Sequence, residues 1–244
     1  MHGWRARIGI LVVASDVTCE SELYRIVPEG VSIHTSRMTF PGAVTPEALE
    51  KLADEALRGT ELLIPACIDT VTFCCTSGSF IKGAGYDRQI INTIKSRFPE
   101  VTATTTSTAV SAALEKLNVR KAAVATPYIH SVNEALKDYL EAEGISIVNI
   151  EGLGILEDQE TNNLSPEATY RLASRVDVPE AEAIFISCTS LRSIEVIQTL
   201  ETDLGKPVFS SNTATIWDAL RKSGVCEPIM GYGKLLTLPQ DPTS

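Results

Sequence analysis

Histidine, aromatic side chains and positive charge are all scarce in this 244-residue chain. It has three histidines (His2, His34, His130), 6% aromatic residues, and 21 Lys and Arg against 31 Asp and Glu, a formal net charge of -10. Phosphate backbones and anionic lipid need clustered cations, so nucleic acid and membrane surfaces are excluded as expected partners. No early hydrophobic run nears the roughly 20 residues that cross a bilayer. The longest, residues 8–14, opens a strand pattern with no cleavage site after it, so the expected location is the cytoplasm. The six cysteines (Cys19, Cys67, Cys74, Cys75, Cys188, Cys226) contain no CxxC pair, which together with the few histidines argues against a zinc site; no metal is expected. Glycine-rich phosphate loops are missing as well. KGAG at 82–85 and GLG at 152–154 hold GxG without a third glycine in register, so both read as turns, and there is no Walker sequence. His34 and His130 read as surface or core residues.

What is present is a pattern of short apolar or β-branched runs at 7–14, 70–74, 101–105, 122–126, 183–187 and 207–210. Such runs, separated by helical periodicity, indicate buried strands of a parallel sheet covered on both faces, an α/β fold. The units recur in one order. TPEA at 45–48 and SPEA at 165–168 each open a helix with a hydroxyl cap, a first-turn proline and an acidic residue. Cys75-Thr76-Ser77 follows one strand and Cys188-Thr189-Ser190 follows its counterpart. Strand-to-helix units then begin at Thr104 and Ser210 and end in AALEKLNV and DALRKSGV. Offsets from about 106 to 120 residues imply a duplicated unit with small insertions. The reading is therefore two pseudo-symmetric α/β domains, residues 1–110 plus 213–244 and residues 111–212, with the active site in the cleft between them. The tail, 238–244, reads as a frayed end.

Each Cys-Thr-Ser triplet is expected where a helix begins, and helix N-termini bind carboxylates and favour thiolates. Two facing thiols suit inversion at carbon, with a base on one face and an acid on the other. Thr76, Ser77, Thr189 and Ser190, with their N–H groups, could stabilise an enediolate; helix capping is the alternative role of their side chains. Cys74 should point away from Cys75 and, with Cys19, Cys67 and Cys226, reads as core.

The strings FCCTSGSF, ATPYIHSVNEAL and ISCTSLRS, with RIGILVVAS and GYGKLL, resemble the arylmalonate decarboxylase and maleate isomerase branch of the aspartate/glutamate racemase superfamily. ASDVTCESEL and SCTSLR are most similar to racemase-like proteins of ectoine-utilisation operons. The resemblance, over nearly the whole chain, implies a cofactor-independent enzyme. Cys75 and Cys188 would be the catalytic thiols. Tyr128, at a strand end, would be a donor to the substrate carboxylate; otherwise it is a buried tyrosine with its hydroxyl satisfied. The decarboxylases carry glycine where Cys75 stands, which favours isomerase or racemase chemistry here. Maleate isomerases keep both cysteines but have asparagine at the positions of Asp16 and Asp158. Two carboxylates there would repel a dianion and attract an ammonium group, suggesting an amino-acid-like substrate such as N-acetyl diaminobutyrate; Asp16 is otherwise a capping residue. The alternatives are a maleate cis-trans isomerase, an arylmalonate-type decarboxylase and a non-catalytic two-lobed carboxylate-binding protein. A homo-oligomer is compatible with all of them.

Overall fold

The computed structural model describes residues 2–40, 42–52 and 54–239. Among these residues the strands are β1 (Ala6–Val13), β2 (Val31–Met38), β3 (Thr70–Cys74), β4 (Thr102–Thr105), β5 (Lys121–Thr126), β6 (Ser146–Gly152), β7 (Ala183–Ile186) and β8 (Val208–Ser210). They form two four-stranded parallel sheets, ordered β2-β1-β3-β4 and β6-β5-β7-β8. The two orders are the same when each half is numbered from its own first strand, as a duplicated unit requires. Continuous apolar runs fall where burial is two-sided: β1, β3, β5 and β7 lie inside their sheets and are buried almost throughout.

Of the four edge strands, β2 and β6 do not appear among the sequence-predicted runs, whereas β4 and β8 do. Their strings, VSIHTSRM and SIVNIEG, mix polar with apolar residues because each is partly exposed, whereas the opposite edges, β4 and β8, are covered and were legible as runs. β5 also shifts register against β6 between Ala122 and Ala123.

The helices are α1 (Cys19–Ile26), α2 (Pro46–Leu52), α3 (Glu55–Leu63), α4 (Thr76–Phe80), α5 (Tyr86–Arg97), α6 (Thr106–Lys116), α7 (His130–Ala142), α8 (Asp158–Asn162), α9 (Pro166–Val176), α10 (Ile197–Leu204), α11 (Ser211–Lys222) and α12 (Lys234–Thr237). Their predicted starts at the TPEA and SPEA strings hold: Thr45 Oγ1 accepts the Ala48 N–H at 3.3 Å and Ser165 Oγ accepts the Ala168 N–H at 3.4 Å. Among the described residues no helix is long and apolar enough to cross a membrane.

The matched helices α6 and α11 pack on each other, and α11 also lies against β1, β3 and β4 of the first sheet. Small hydroxyl residues let the two approach closely; Thr215 donates to Thr106 Oγ1 at 3.0 Å. Residues 211–221 of α11 are all buried, so this helix has no solvent face. Leu238 is tied down by Trp217 and Arg221, which both donate to its carbonyl, so the described start of the tail is anchored; residues 240–244 lie outside the described residues.

Candidate active site

The carboxyl ends of the strands from both sheets converge on one small cavity. Cys75 follows β3 directly and Cys188 follows β7 by one residue, so equivalent strands deliver the two thiols, and both line this cavity. Thr76, Ser77, Tyr128, Asp158, Thr189 and Ser190 line it with them. Thus eight of the nine residues singled out in the sequence meet there, and Asp16 is the exception.

Around Cys75 the local expectation holds. It is the N-cap of α4, and its Sγ accepts the Gly78 N–H at 3.4 Å, with Ser77 Oγ at 3.9 Å. A Cβ on Gly78 would stand 3.0 Å from that sulfur, so a larger residue there would crowd it. Cys188 departs from expectation: no helix follows it, only a turn, and the next helix, α10, starts at Ile197. Its φ of 142° lies in a region that residues with a Cβ avoid. The surroundings hold it there. Ser211 Oγ accepts the Cys188 N–H at 3.0 Å and also the Thr76 hydroxyl at 2.8 Å, so one side chain of α11 joins the two Cys-Thr-Ser segments.

The expected thiolate is not the resting form of either cysteine. Burial pushes Cys75 up to about 12, only partly opposed by the Gly78 N–H and the Ser77 hydroxyl. Burial also lifts Cys188, and the charge of Asp158 adds to it. Desolvation outweighs the short helix end at Cys75, and at Cys188, where no helix begins, it outweighs the Ser190 N–H. Tyr128 is raised by burial and by both sulfurs, so its hydroxyl is a donor at neutral pH. The turn carrying it is fixed by three contacts. Thr126 Oγ1 accepts the Tyr128 N–H at 3.1 Å and donates to Asn133 Oδ1 at 2.6 Å, and Asn133 donates back to the Tyr128 carbonyl at 3.4 Å.

Asp16 is buried just before α1, where its Oδ1 accepts the Thr18 and Cys19 N–H groups at 2.7 and 2.8 Å. This is the capping role, and it keeps the side chain off the cavity lining. Asp158 does line the cavity and accepts hydroxyl bonds from Ser15 at 2.6 Å and Ser190 at 2.8 Å. Ser190 lies 3.4 Å from Asp16 Oδ2, so the two carboxylates share one serine. Burial raises the pKa of Asp16, and the charge of Asp158 adds to the rise.

Other placements differ from the sequence reading. Cys19 and Cys74 are core, as expected, whereas Cys67 and Cys226 are exposed. Cys67 ends a one-turn 3-10 helix at φ 53°, a surface turn that gives its side chain no interior to enter. His34 is half-buried beside Ser32 and His130 is exposed. Gly83, Gly85 and Gly154 sit at positive φ, as the turn reading of the GxG strings suggested, but Gly152, the first glycine of GLG, ends strand β6. The sequence reading did not find the apolar side of the cavity, Val13, Phe40, Val44, Leu49 and Ile155. Phe40 and Val44 follow β2 and Ile155 follows β6, so recognising the edge strands was the one available signal. Among the described residues no cluster of three or more His, Cys, Asp or Glu could hold a metal ion.

Three comparisons with known proteins agree with this geometry. The family described as arylmalonate decarboxylase matches residues 8–236. The chain is 27% identical to the maleate isomerase of Alcaligenes faecalis over 95% of its own length and 96% of that protein's. It is 32% identical to the arylmalonate decarboxylase of Bordetella bronchiseptica over 80% of this chain and 82% of that one. A solved cysteine-to-serine mutant of Nocardia farcinica maleate cis-trans isomerase, with a covalently bound succinylcysteine intermediate, superposes with a TM-score of 0.91. It is 26% identical, and the match covers 97% of this chain and 99% of that one.

Proposed function

The chain belongs to the arylmalonate decarboxylase family, and within it we propose that this protein is a cofactor-independent isomerase whose Cys75 and Cys188 act on a small carboxylate. The observation that carries the reading is the presence of both thiols in one cavity, delivered by equivalent strands. Thiols on opposite sides of a bound carbon can take a proton from one face and return one to the other. Thr76, Ser77, Thr189 and Ser190 are proposed to hold the substrate carboxylate and, with the Tyr128 hydroxyl, to stabilise the negative charge that develops on it. The units of residues 1–110 plus 213–244 and 111–212 belong to the same proposal, supported by the packing of α11 on the first sheet.

Charge supports an amino-acid-like substrate. The thiols are kept protonated by burial and by Asp158, and one must ionise for chemistry to begin. An ammonium group beside Asp158 would offset its charge and lower that cost, whereas a dicarboxylate would add to it. N-acetyl diaminobutyrate is one substrate of this kind. Maleate is the second reading, favoured by the maleate isomerase relatives and by the succinylcysteine intermediate of the Nocardia enzyme. In that case one thiolate would add to the double bond, the single bond so formed would rotate, and elimination would release the trans product.

The test is turnover in deuterated water of N-acetyl diaminobutyrate, aspartate, maleate and phenylmalonate. Deuterium at the α-carbon with loss of chirality is the expected outcome; fumarate from maleate would favour the second reading. Carbon dioxide from phenylmalonate would mark a decarboxylase, and binding without turnover a carboxylate-binding protein. Cys75→Ser and Cys188→Ser should each cost about a hundredfold or more in rate. Full activity in either variant would remove the two-thiol mechanism.

A further inference from the structure

Glu22 is a buried carboxylate on α1, outside the cavity described above, and it grips the segment that follows Cys188. Its Oε1 accepts the Ser193 N–H at 2.6 Å and the Ile194 N–H at 3.2 Å. Its Oε2 accepts the Ser193 hydroxyl at 3.0 Å and the Asn212 side-chain amide at 2.8 Å. Asn212, on α11, donates with the same nitrogen to the Thr189 carbonyl at 2.9 Å. One carboxylate thus fixes residues 193 and 194 directly and residue 189 through Asn212, on both sides of Ser190. This matters because the segment has no helix to hold it and begins with Cys188 at a disfavoured φ.

We propose that Glu22 is a positioning residue that holds the Cys188 segment, and with it the second thiol, in working geometry through Ser193, Ile194 and Asn212. The assignment rests on the two-thiol reading only for the purpose of that geometry; the clamp itself is a matter of four hydrogen bonds. Three of the four donors are N–H groups that cannot reverse their role, so they select the ionised carboxylate. A glutamine would present its own N–H₂ to one of the two donor pairs. Burial lifts Glu22 to about 7 against the pull of these donors, so the clamp changes state near neutral pH. An outer cavity reaches it from solvent, lined also by Arg25 on its own helix and by Arg192 and Glu195 from the Cys188 segment. Cys19 is its other titratable neighbour; α11 and α8 contribute the neutral Asn212 and Asn162.

The test is iodoacetamide labelling of the intact protein, with Cys75 and Cys188 resolved by mass spectrometry between pH 5.5 and 8.5. Alkylation needs no substrate, so its outcome is independent of whether the isomerase reading succeeds. In the parent, the ratio of Cys188 to Cys75 labelling should step near pH 7. In Glu22→Gln the step should vanish, with the Cys188 rate changed by about fivefold or more and Cys75 within about twofold, the scale of losing one or two such hydrogen bonds. Equal changes at both thiols would indicate general loosening and overturn the assignment, as would labelling identical to the parent at every pH. Should Glu22→Gln fail to fold, Ser193→Ala keeps the three N–H bonds and removes one hydroxyl, which also bonds Ser210 Oγ at 2.8 Å. A change of about twofold confined to Cys188 is then expected, and no change overturns the proposal.

Discussion

At the scale of single residues, the charges that order this site are costly to the fold. Glu22 exchanges water for four donors, and desolvation still dominates, raising it from 4.5 to about 7. A carboxyl group raised in the folded state favours folding while it is protonated. Its stabilising contribution is therefore complete below about pH 4.5 and is lost as pH rises towards 7. The loss amounts to about 3 kcal/mol at 1.36 kcal/mol per pH unit, or roughly 6–12 °C in melting temperature for a chain of this size. Glu22→Gln lacks this term. Melting of parent and variant across pH 4.5–7.5 should show the parent losing ground to the variant by that amount. A difference independent of pH would refute a buried, titrating Glu22. Groups common to both proteins, Asp16 included, cancel in the comparison. The clamp illustrates how stability is given up where a reactive segment must be held.

At the scale of elements, the turn that presents Tyr128 depends on the last residue of β6. A Cβ on Gly152 would lie 2.2 Å from the Asn133 amide nitrogen and 2.5 Å from the Tyr128 carbonyl oxygen. The Thr126–Asn133–Tyr128 contacts occupy that space, so a methyl group cannot enter unless the β5–α7 turn moves. Gly152→Ala should destabilise the protein by about 1–3 kcal/mol. It should also lower kcat more than it raises KM for any substrate found in the panel, because Tyr128 is proposed to stabilise the charge that develops on the carboxylate. Parent-like melting and kinetics would mean that the turn yields without consequence. The same element scale explains the difference between the two thiols: a short helix offers its N–H groups to Cys75, whereas Cys188 depends on distant side chains for its support.

At the scale of the whole molecule, the two sheets share one interior. Ser15 after β1 donates to Asp158 at 2.6 Å, the Ser193 N–H donates to Glu22 of α1 at 2.6 Å, and Thr76 of α4 donates to Ser211 at 2.8 Å. Neither half can lose its structure without stripping the other of partners. Equilibrium unfolding should therefore be a single transition. Trp217 is buried on α11, which packs on α6 and on the first sheet, and Trp4 is exposed, so the change in tryptophan emission on unfolding reports on the burial of α11. Urea curves from tryptophan emission and from far-ultraviolet circular dichroism should coincide; two resolved steps would show that the halves are separable.

The sequence by itself determined what depends on near neighbours. Continuous burial marked the inner strands, hydroxyl-proline strings marked two helix starts, and the repeated Cys-Thr-Ser triplets marked equivalent strand ends. Tertiary structure decided what depends on residues far apart in the chain. The edge strands β2 and β6 escape the pattern because they are partly exposed, while the edges β4 and β8 are covered and show it. Asp16 and Asp158 look alike in the sequence, yet one caps a helix and the other faces the cavity. Glu22 gains its role from Ser193 and Asn212, 171 and 190 positions away. The resting protonation of the thiols follows the same rule, because desolvation is set by everything packed around a group and an adjacent helix end is only one part of it.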